Sequence, residues 1–178
     1  IEDYRDMPTL NEFQYQKNTG GDLPKFMRQI KFSCRDNGRT PFQWDSTLHA
    51  GFTEGTPWIS VNSNHREINQ AKQENDPNSC LSYFKRLVSL RKSKKVLVYG
   101  KYTLLDKNNP TVYAYTREVD GEKLLILLNF SNSNAEANLP FSIAGSDVLL
   151  TNYNEARSST KENTSLTLRP YEAIIYKL

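Results

Sequence analysis

The hydrophobic period of this chain changes once, and that change limits what it can fold into. Between Asp76 and Lys94, the residues Cys80, Leu81, Phe84, Leu87, Val88 and Arg91 recur at spacings of three and four. This describes a helix with one apolar face that must pack on a partner. Asp76 is placed as its N-cap and Pro77 at its first position, where a missing N–H costs nothing. The run Arg91-Lys92-Ser93-Lys94-Lys95 closes it, with cations at the negative end of the helix dipole. From Val96 onward the period is two, as in strands with one face buried. The candidate strands are Tyr102 to Leu105, Val112 to Glu118, Lys123 to Phe130, Ala135 to Leu139, Val148 to Tyr153, Ser165 to Leu168 and Ala173 to Lys177. Asp120-Gly121, between two of them, is a two-residue hairpin signal. Short strands punctuated by turns predict an antiparallel β-sandwich. The chain therefore reads as α+β, with helices and loops over 1–99 and an all-β module over 100–178.

The first part has too few periodic segments for a core of its own. Thr9 is placed to cap a helix over Leu10 to Gln16, with Glu12 three residues on as in a capping box. Gly20-Gly21 breaks the chain, and Asp22 then caps a second helix that carries Pro24 in its first turn. Phe26, Met27 and Ile30 form its apolar stripe. Residues 33–75 show little periodicity yet carry both tryptophans, Trp44 and Trp58. That composition fits an ordered functional loop packed on something, rather than a linker.

Composition removes several classes of function. With 23 Lys and Arg against 20 Asp and Glu, a net charge of +3 over 178 residues is too weak to argue for nucleic acid or an anionic membrane. The longest apolar run, Leu124 to Leu128, has strand length and is far from the roughly 20 residues of a membrane span. Cys34 and Cys80 read as buried free thiols. His49 and His65 have no Cys or His at ligand spacing, so no metal site is expected. There is no glycine-rich phosphate loop and no G-x-S-x-G elbow. The sequons at Asn129 and Asn163 read as chance matches.

The densest polar element is Arg35-Asp36-Asn37-Gly38-Arg39-Thr40-Pro41-Phe42-Gln43-Trp44-Asp45. Sugar recognition needs fixed donors and acceptors for hydroxyls and an aromatic surface for the apolar face of a pyranose, and this segment offers both. The same residues also suit a structural knot in which Arg35 and Arg39 cap carbonyls and pair with Asp36 or Asp45. Glycosidic cleavage commonly uses two carboxylates. Asp3, Asp6, Asp36, Asp45, Glu54, Glu67, Glu74 and Asp76 are the acids of the first part. None follows an expected strand beneath an apolar pocket, so each reads as solvated surface acid.

The segment Cys34 to Asp45, followed by Ala50-Gly51-Phe52-Thr53 and Pro57-Trp58-Ile59-Ser60-Val61-Asn62, resembles the oligo-1,6-glucosidase group of the α-amylase superfamily, glycoside hydrolase family 13. Ile1 to Asp6, Glu67-Ile68-Asn69, Ser82 to Leu87 and Val98-Tyr99-Gly100 are similar to the same group. The likeness is to the C-terminal third only, and a start at Ile1 without Met fits a fragment or processed product. It implies the end of a (β/α)₈ barrel, with 33–75 as an active-site loop and 76–94 as the last barrel helix, followed by a β-sandwich.

The resemblance places the catalytic carboxylates upstream of Ile1, so no catalytic residue is expected in this chain. It implies that Arg35 binds the non-reducing glucose of an oligosaccharide substrate, paired with an upstream Asp, and that Arg39 is a weaker contributor to the pocket. Cys34 and Gly38 depart from the residues common at those positions. No cofactor is implied. The implied partner is the N-terminal barrel polypeptide. Sucrose isomerase and trehalose-6-phosphate hydrolase share this third of the sequence, and a non-catalytic carbohydrate-binding or structural module is a further alternative.

Overall fold

The computed structural model describes residues 1–155 and 164–178, which form two compact units, residues 1–76 and 77–178. In the first, α1 (Met7–Thr19) begins at Asp6, whose Oδ2 accepts the Thr9 N–H at 3.2 Å. The sequence placed the cap at Thr9, but Thr9 is a residue whose own N–H needs an acceptor. Its hydroxyl also donates to Asp6 Oδ2, at 2.8 Å. Asp22 caps α2 (Leu23–Ser33) as expected, accepting the Lys25 N–H at 2.9 Å. Phe26 of that helix lies 6.2 Å from the Phe13 ring of α1, and Ile30 is buried.

Residues 34–75 are irregular but ordered, while Phe42, Trp44, Phe52 and Trp58, expected to pack on something, are about half exposed or more among the described residues. The segment contains three 3₁₀ turns and the short α3 (Gln70–Glu74). Backbone bonds from Trp44 and Asp45 to the Ala50 carbonyl, and from Gln70 and Ala71 to the Gln43 and Trp44 carbonyls, fold the loop back on itself.

The second unit opens with α4 (Cys80–Ser93), capped by Ser79, whose Oγ accepts the Ser82 N–H at 3.1 Å. The expected cap, Asp76, instead donates its own N–H to the Gln73 carbonyl at 3.3 Å. The helix starts three residues beyond Pro77 and ends at the basic run, as expected. Cys80, in its first turn, is exposed rather than buried, whereas Cys34 is buried; both thiols are free. A further helix, α5 (Lys95–Tyr99), occupies the stretch where strand character was expected to start. Val96-Leu97-Val98-Tyr99 is an apolar run too short for its period to tell strand from helix.

All seven expected strands are present: β1 (Lys101–Leu105), β2 (Val112–Val119), β3 (Glu122–Asn129), β4 (Ala135–Asn138), β5 (Asp147–Thr151), β6 (Ser165–Leu168) and β7 (Ala173–Lys177). They form an antiparallel five-stranded sheet, ordered β1-β2-β3-β7-β5, and a two-stranded sheet of β4 and β6. Asp120 and Gly121 connect β2 to β3 with φ of 52° and 79°. Positive φ at both positions is what a two-residue turn matching the strand twist requires.

The run Leu124 to Leu128 is continuous because the middle of the large sheet is buried on both faces. Leu125 and Leu127 join Ala137, Leu139 and Leu168 in the layer between the two sheets. Leu124 and Ile126 join Val96 and Leu97 in a second layer, against which Tyr83, Leu87 and Leu90 of α4 pack. Phe84 lies off that contact and is 60% exposed.

Arg117 of β2 reaches across to α5 and donates to the carbonyls of Val96, Val98 and Gly100 at 3.1–3.2 Å. The Val96 carbonyl also accepts the Gly100 N–H at 3.0 Å, so Arg117 adds a second donor there and supplies a side-chain donor to the Val98 and Gly100 carbonyls at the helix C-terminus. At Gly100 a Cβ would lie 2.4 Å from the Val96 carbonyl oxygen and 3.0 Å from the Glu118 nitrogen.

Asn129, in the first sequon, is buried. Its amide donates to the Ser133 and Arg169 carbonyls, and its Oδ1 accepts from Ser131. That side chain is committed to holding a turn. Asn163, in the second sequon, lies outside the described residues. Among the described residues no helix is long and apolar enough to cross a membrane.

Candidate functional site

The segment after α2 continues as a 3₁₀ turn over Arg35–Gly38. Here the structure brings Arg35 and Arg39 together around two buried acids, Asp6 and Asp36, which are 4% and 5% exposed. Arg35 donates through Nε to Asp6 Oδ1 at 2.7 Å, and its Nη2 lies 2.6 Å from the same oxygen. Arg39 Nη1 stands 3.6 Å from Asp6 Oδ1 and 3.7 Å from Asp36 Oδ1. Asp36 Oδ2 accepts the N–H groups of Arg5 and Asp6 at 2.6 and 3.0 Å. The knot read from the sequence is therefore present, but its main acceptor is Asp6. Asp45 takes no part in it; its carboxylate accepts the N–H of Thr47 at 2.8 Å and the Thr47 hydroxyl at 2.5 Å.

The expectation that these acids are solvated fails for Asp6 and Asp36, because buried carboxylates persist only where cations and N–H groups satisfy them. The sequence held a signal for Asp6: an Asp followed closely by Pro8 and Thr9 is an N-cap pattern. Burial alone pushes the Asp6 carboxyl up. The Thr9 hydroxyl, the Arg35 guanidinium and the Thr9 N–H outweigh it and hold the group below the usual carboxylate range.

Not every polar residue of the motif faces outward. Asn37 donates to the Lys31 carbonyl and Gln43 to the Ile68 carbonyl, so both brace the loop. Arg35 keeps 58% of its side chain exposed and Arg39 keeps 39%. Phe42 and Trp44 offer aromatic surface, with ring centroids 4.6 Å apart and about half of each residue exposed. Cys34 lies behind the knot, accepting a contact from the Thr9 hydroxyl at 3.5 Å.

Beyond Trp44 the chain makes a left-handed turn at His49, Ala50 and Gly51, with φ of 53°, 58° and 65°. At Gly51 a Cβ would lie 2.7 Å from the Asp45 carboxylate. His49 and His65 line a cleft of about 440 Å³ with Thr47, Pro57, Ser60 and Arg66. Among the described residues no group of three or more His, Cys, Asp or Glu is placed to hold a metal ion. The segment presents one anchored guanidinium and, seven and nine residues further along the chain, two half-exposed aromatic rings, residue types that suit hydroxyl and carboxylate recognition. Among the described residues of this segment no pair of accessible carboxylates is seen flanking a cleft.

Two family models match the chain, and the first runs across the boundary between the two compact units. The α-amylase catalytic domain model matches residues 6–100, and the model of the α-amylase SusG C-terminal domain matches residues 112–175. An oligo-1,6-glucosidase of Bacillus cereus is 44% identical over the whole chain, and a trehalose-6-phosphate hydrolase of Bacillus subtilis is 40% identical. The chain spans 32% of the length of each. Among solved structures, a trehalose-6-phosphate hydrolase of Bacillus licheniformis superposes with a TM-score of 0.89 at 37% identity over 99% of this chain and 32% of that one. An isomaltulose synthase of Klebsiella superposes equally well, with a TM-score of 0.89 at 35% identity and the same coverage. With a catalytic-domain match over more than half its length and the C-terminal domain matched beyond it, the chain belongs to the α-amylase family of glycoside hydrolases.

Proposed function

We propose that this chain is the C-terminal part of an α-glucosidase of the oligo-1,6-glucosidase kind. Joined to the rest of its barrel, it releases glucose from the non-reducing ends of short α-linked oligosaccharides. Residues 1–99 complete the catalytic barrel and carry one of its active-site loops; residues 100–178 are the C-terminal β-domain. The reaction is retaining: an upstream carboxylate attacks the anomeric carbon, a second upstream acid protonates the leaving oxygen, and water then hydrolyses the glycosyl-enzyme. Arg35 contributes substrate binding, because a planar guanidinium bonds a carboxylate along one edge and still donates to a sugar hydroxyl along another. Arg39, shared between two buried carboxylates, mainly neutralises them and shapes the wall.

The observation that carries this reading is the Arg35 guanidinium, fixed at Nε by Asp6 with more than half of the side chain exposed. In the enzyme with its full barrel, Arg35→Ala lowers kcat/KM on isomaltose about 10- to 100-fold, the range for losing a hydrogen bond from a charged group. Unchanged kinetics would remove Arg35 from the site. Residues 1–178 alone show no glycosidase activity in this reading, since the reacting carboxylates lie on the preceding barrel. Turnover by the purified chain overturns that.

The similarity to trehalose-6-phosphate hydrolases and an isomaltulose synthase favours a second reading, in which the same site serves trehalose 6-phosphate or sucrose. Product analysis on isomaltose, sucrose and trehalose 6-phosphate separates the three.

A further inference from the structure

We infer that Asp6, besides capping α1, is a positioning residue for Arg35, and that Asp36 and Thr9 hold Asp6 in place for that task. The inference rests on the substrate-binding reading of Arg35 and adds to it a chain of contacts within residues 5–39. Asp6 has spent its acceptor capacity. Oδ1 takes the Nε–H of Arg35, with Nη2 at 2.6 Å, and Oδ2 takes the N–H and hydroxyl of Thr9. With 4% of the residue exposed, it has no free lone pair to offer a substrate or a proton in transit. Any effect of Asp6 on substrate binding runs through Arg35.

The contact involves only the Nε and Nη2 side of the guanidinium, so the Nη1 end stays available on a side chain that is 58% exposed. A free arginine of that exposure samples many rotamers, and anchoring one edge removes most of them before a ligand arrives. Asp36 adds a second tier by accepting the N–H groups of Arg5 and Asp6. Its other oxygen, Oδ1, is buried without a hydrogen-bond partner, and Arg39 Nη1 at 3.7 Å supplies the compensating charge. Two cations thus balance two buried anions, and only one of the cations is bonded at hydrogen-bond distance.

The experiment is a double-mutant cycle in the enzyme carrying its full barrel, read as kcat/KM on isomaltose with KM and kcat separated. Asp6→Asn keeps an acceptor for Thr9 but removes the charge that holds Arg35. The expected result is a loss of about 10-fold in the native background, mostly in KM, and less than about 2-fold in the Arg35→Ala background. A similar loss in both backgrounds overturns the inference, because it marks a structural role for Asp6. No loss in the native background overturns it too. An Arg35→Ala variant with unchanged kinetics overturns the reading of Arg35 and this inference together, whereas a strong Arg35 effect with a silent Asp6 overturns the inference alone.

If Asp6→Asn fails to fold, Thr9→Val replaces it, removing one donor from Oδ2 and leaving the carboxylate. The same pattern at a few-fold size is expected: a loss that vanishes once Arg35 is gone. A Thr9→Val loss that persists in the Arg35→Ala background overturns the inference.

Discussion

The two units are held together by different forces. In residues 77–178 two apolar layers sandwich one sheet, and Leu124, Leu125, Leu127 and Ile174 in it are essentially inaccessible to water. In residues 1–76 the buried apolar side chains are only Ile30, Cys34, Pro41, Ala50 and Ile59, while Phe32 is 91% exposed and Trp58 is 65% exposed. Order there comes from capped helices, loop-closing backbone bonds and the Asp6–Arg35–Asp36–Arg39 cluster. A unit of the second kind resists salt and acid, because burial of hydrocarbon hardly depends on them. A unit of the first kind leans on charges and leaves aromatic surface uncovered, as a segment completed by further polypeptide does.

The contrast breaks most sharply in the dry layer. Leu127→Ala should cost the second unit about 2–5 kcal/mol, the range for a fully buried leucine leaving a cavity. Denaturant titration followed by β-sheet circular dichroism measures it. A loss under about 1 kcal/mol would mean the layer is not the main source of stability. A smaller loss of roughly 1–2 kcal/mol is expected for Gly121→Ala, which forces a Cβ into left-handed backbone at φ 79°. The same titration reads it.

Acid acts on the other unit. Because the folded Asp6 pKa is lowered from 3.8, its contribution is complete above the unfolded value and is lost as pH falls through the folded one. Both tryptophans lie in residues 1–76, so their fluorescence reports that unit alone. Their signal should shift below about pH 4 while the sheet signal persists; simultaneous loss of both would mean that the two units respond to acid alike.

The mildest effect is spectroscopic. Tyr102 shares a hydroxyl–hydroxyl bond of 2.9 Å with Tyr113, which, with burial and neighbouring tyrosines, pushes its pKa up to about 12. Burial also raises Tyr4, Tyr83 and Tyr115, so the readout is a difference: Tyr113→Phe should remove the latest-ionising phenol from the ultraviolet titration, Tyr102 returning toward 10.0. The sign follows: this pair stabilises below pH 10 and stops doing so as pH rises through the folded value.

The β-domain was readable in the sequence almost entirely, down to the hairpin at Asp120-Gly121, because alternation and turn residues are local signals. Helix starts were less so. Thr9 and Asp76 are sound caps by residue type, yet Asp6 and Ser79 win, since a cap is decided by which oxygen reaches an unpartnered N–H. Pattern reading also missed α5, whose apolar run carries no clear period. At the candidate site, the motif around Arg35 was legible by its composition and by resemblance. The partner of Arg35 was not, because Asp6 lies 29 residues away and is brought close only when α1 and α2 pack.

The junction at Gly100 has a mechanical meaning. It falls where the catalytic-domain match ends, a place where a swivel between domains is the ordinary expectation. Here a glycine without room for a single carbon abuts a helix whose last carbonyls are bolted to a strand by Arg117. Those bonds tie α5 to the sheet, and the apolar layer they share ties α4 to it as well. The end of the catalytic-domain match is therefore not a seam in the fold: both helices lie in the same compact unit as the β-strands.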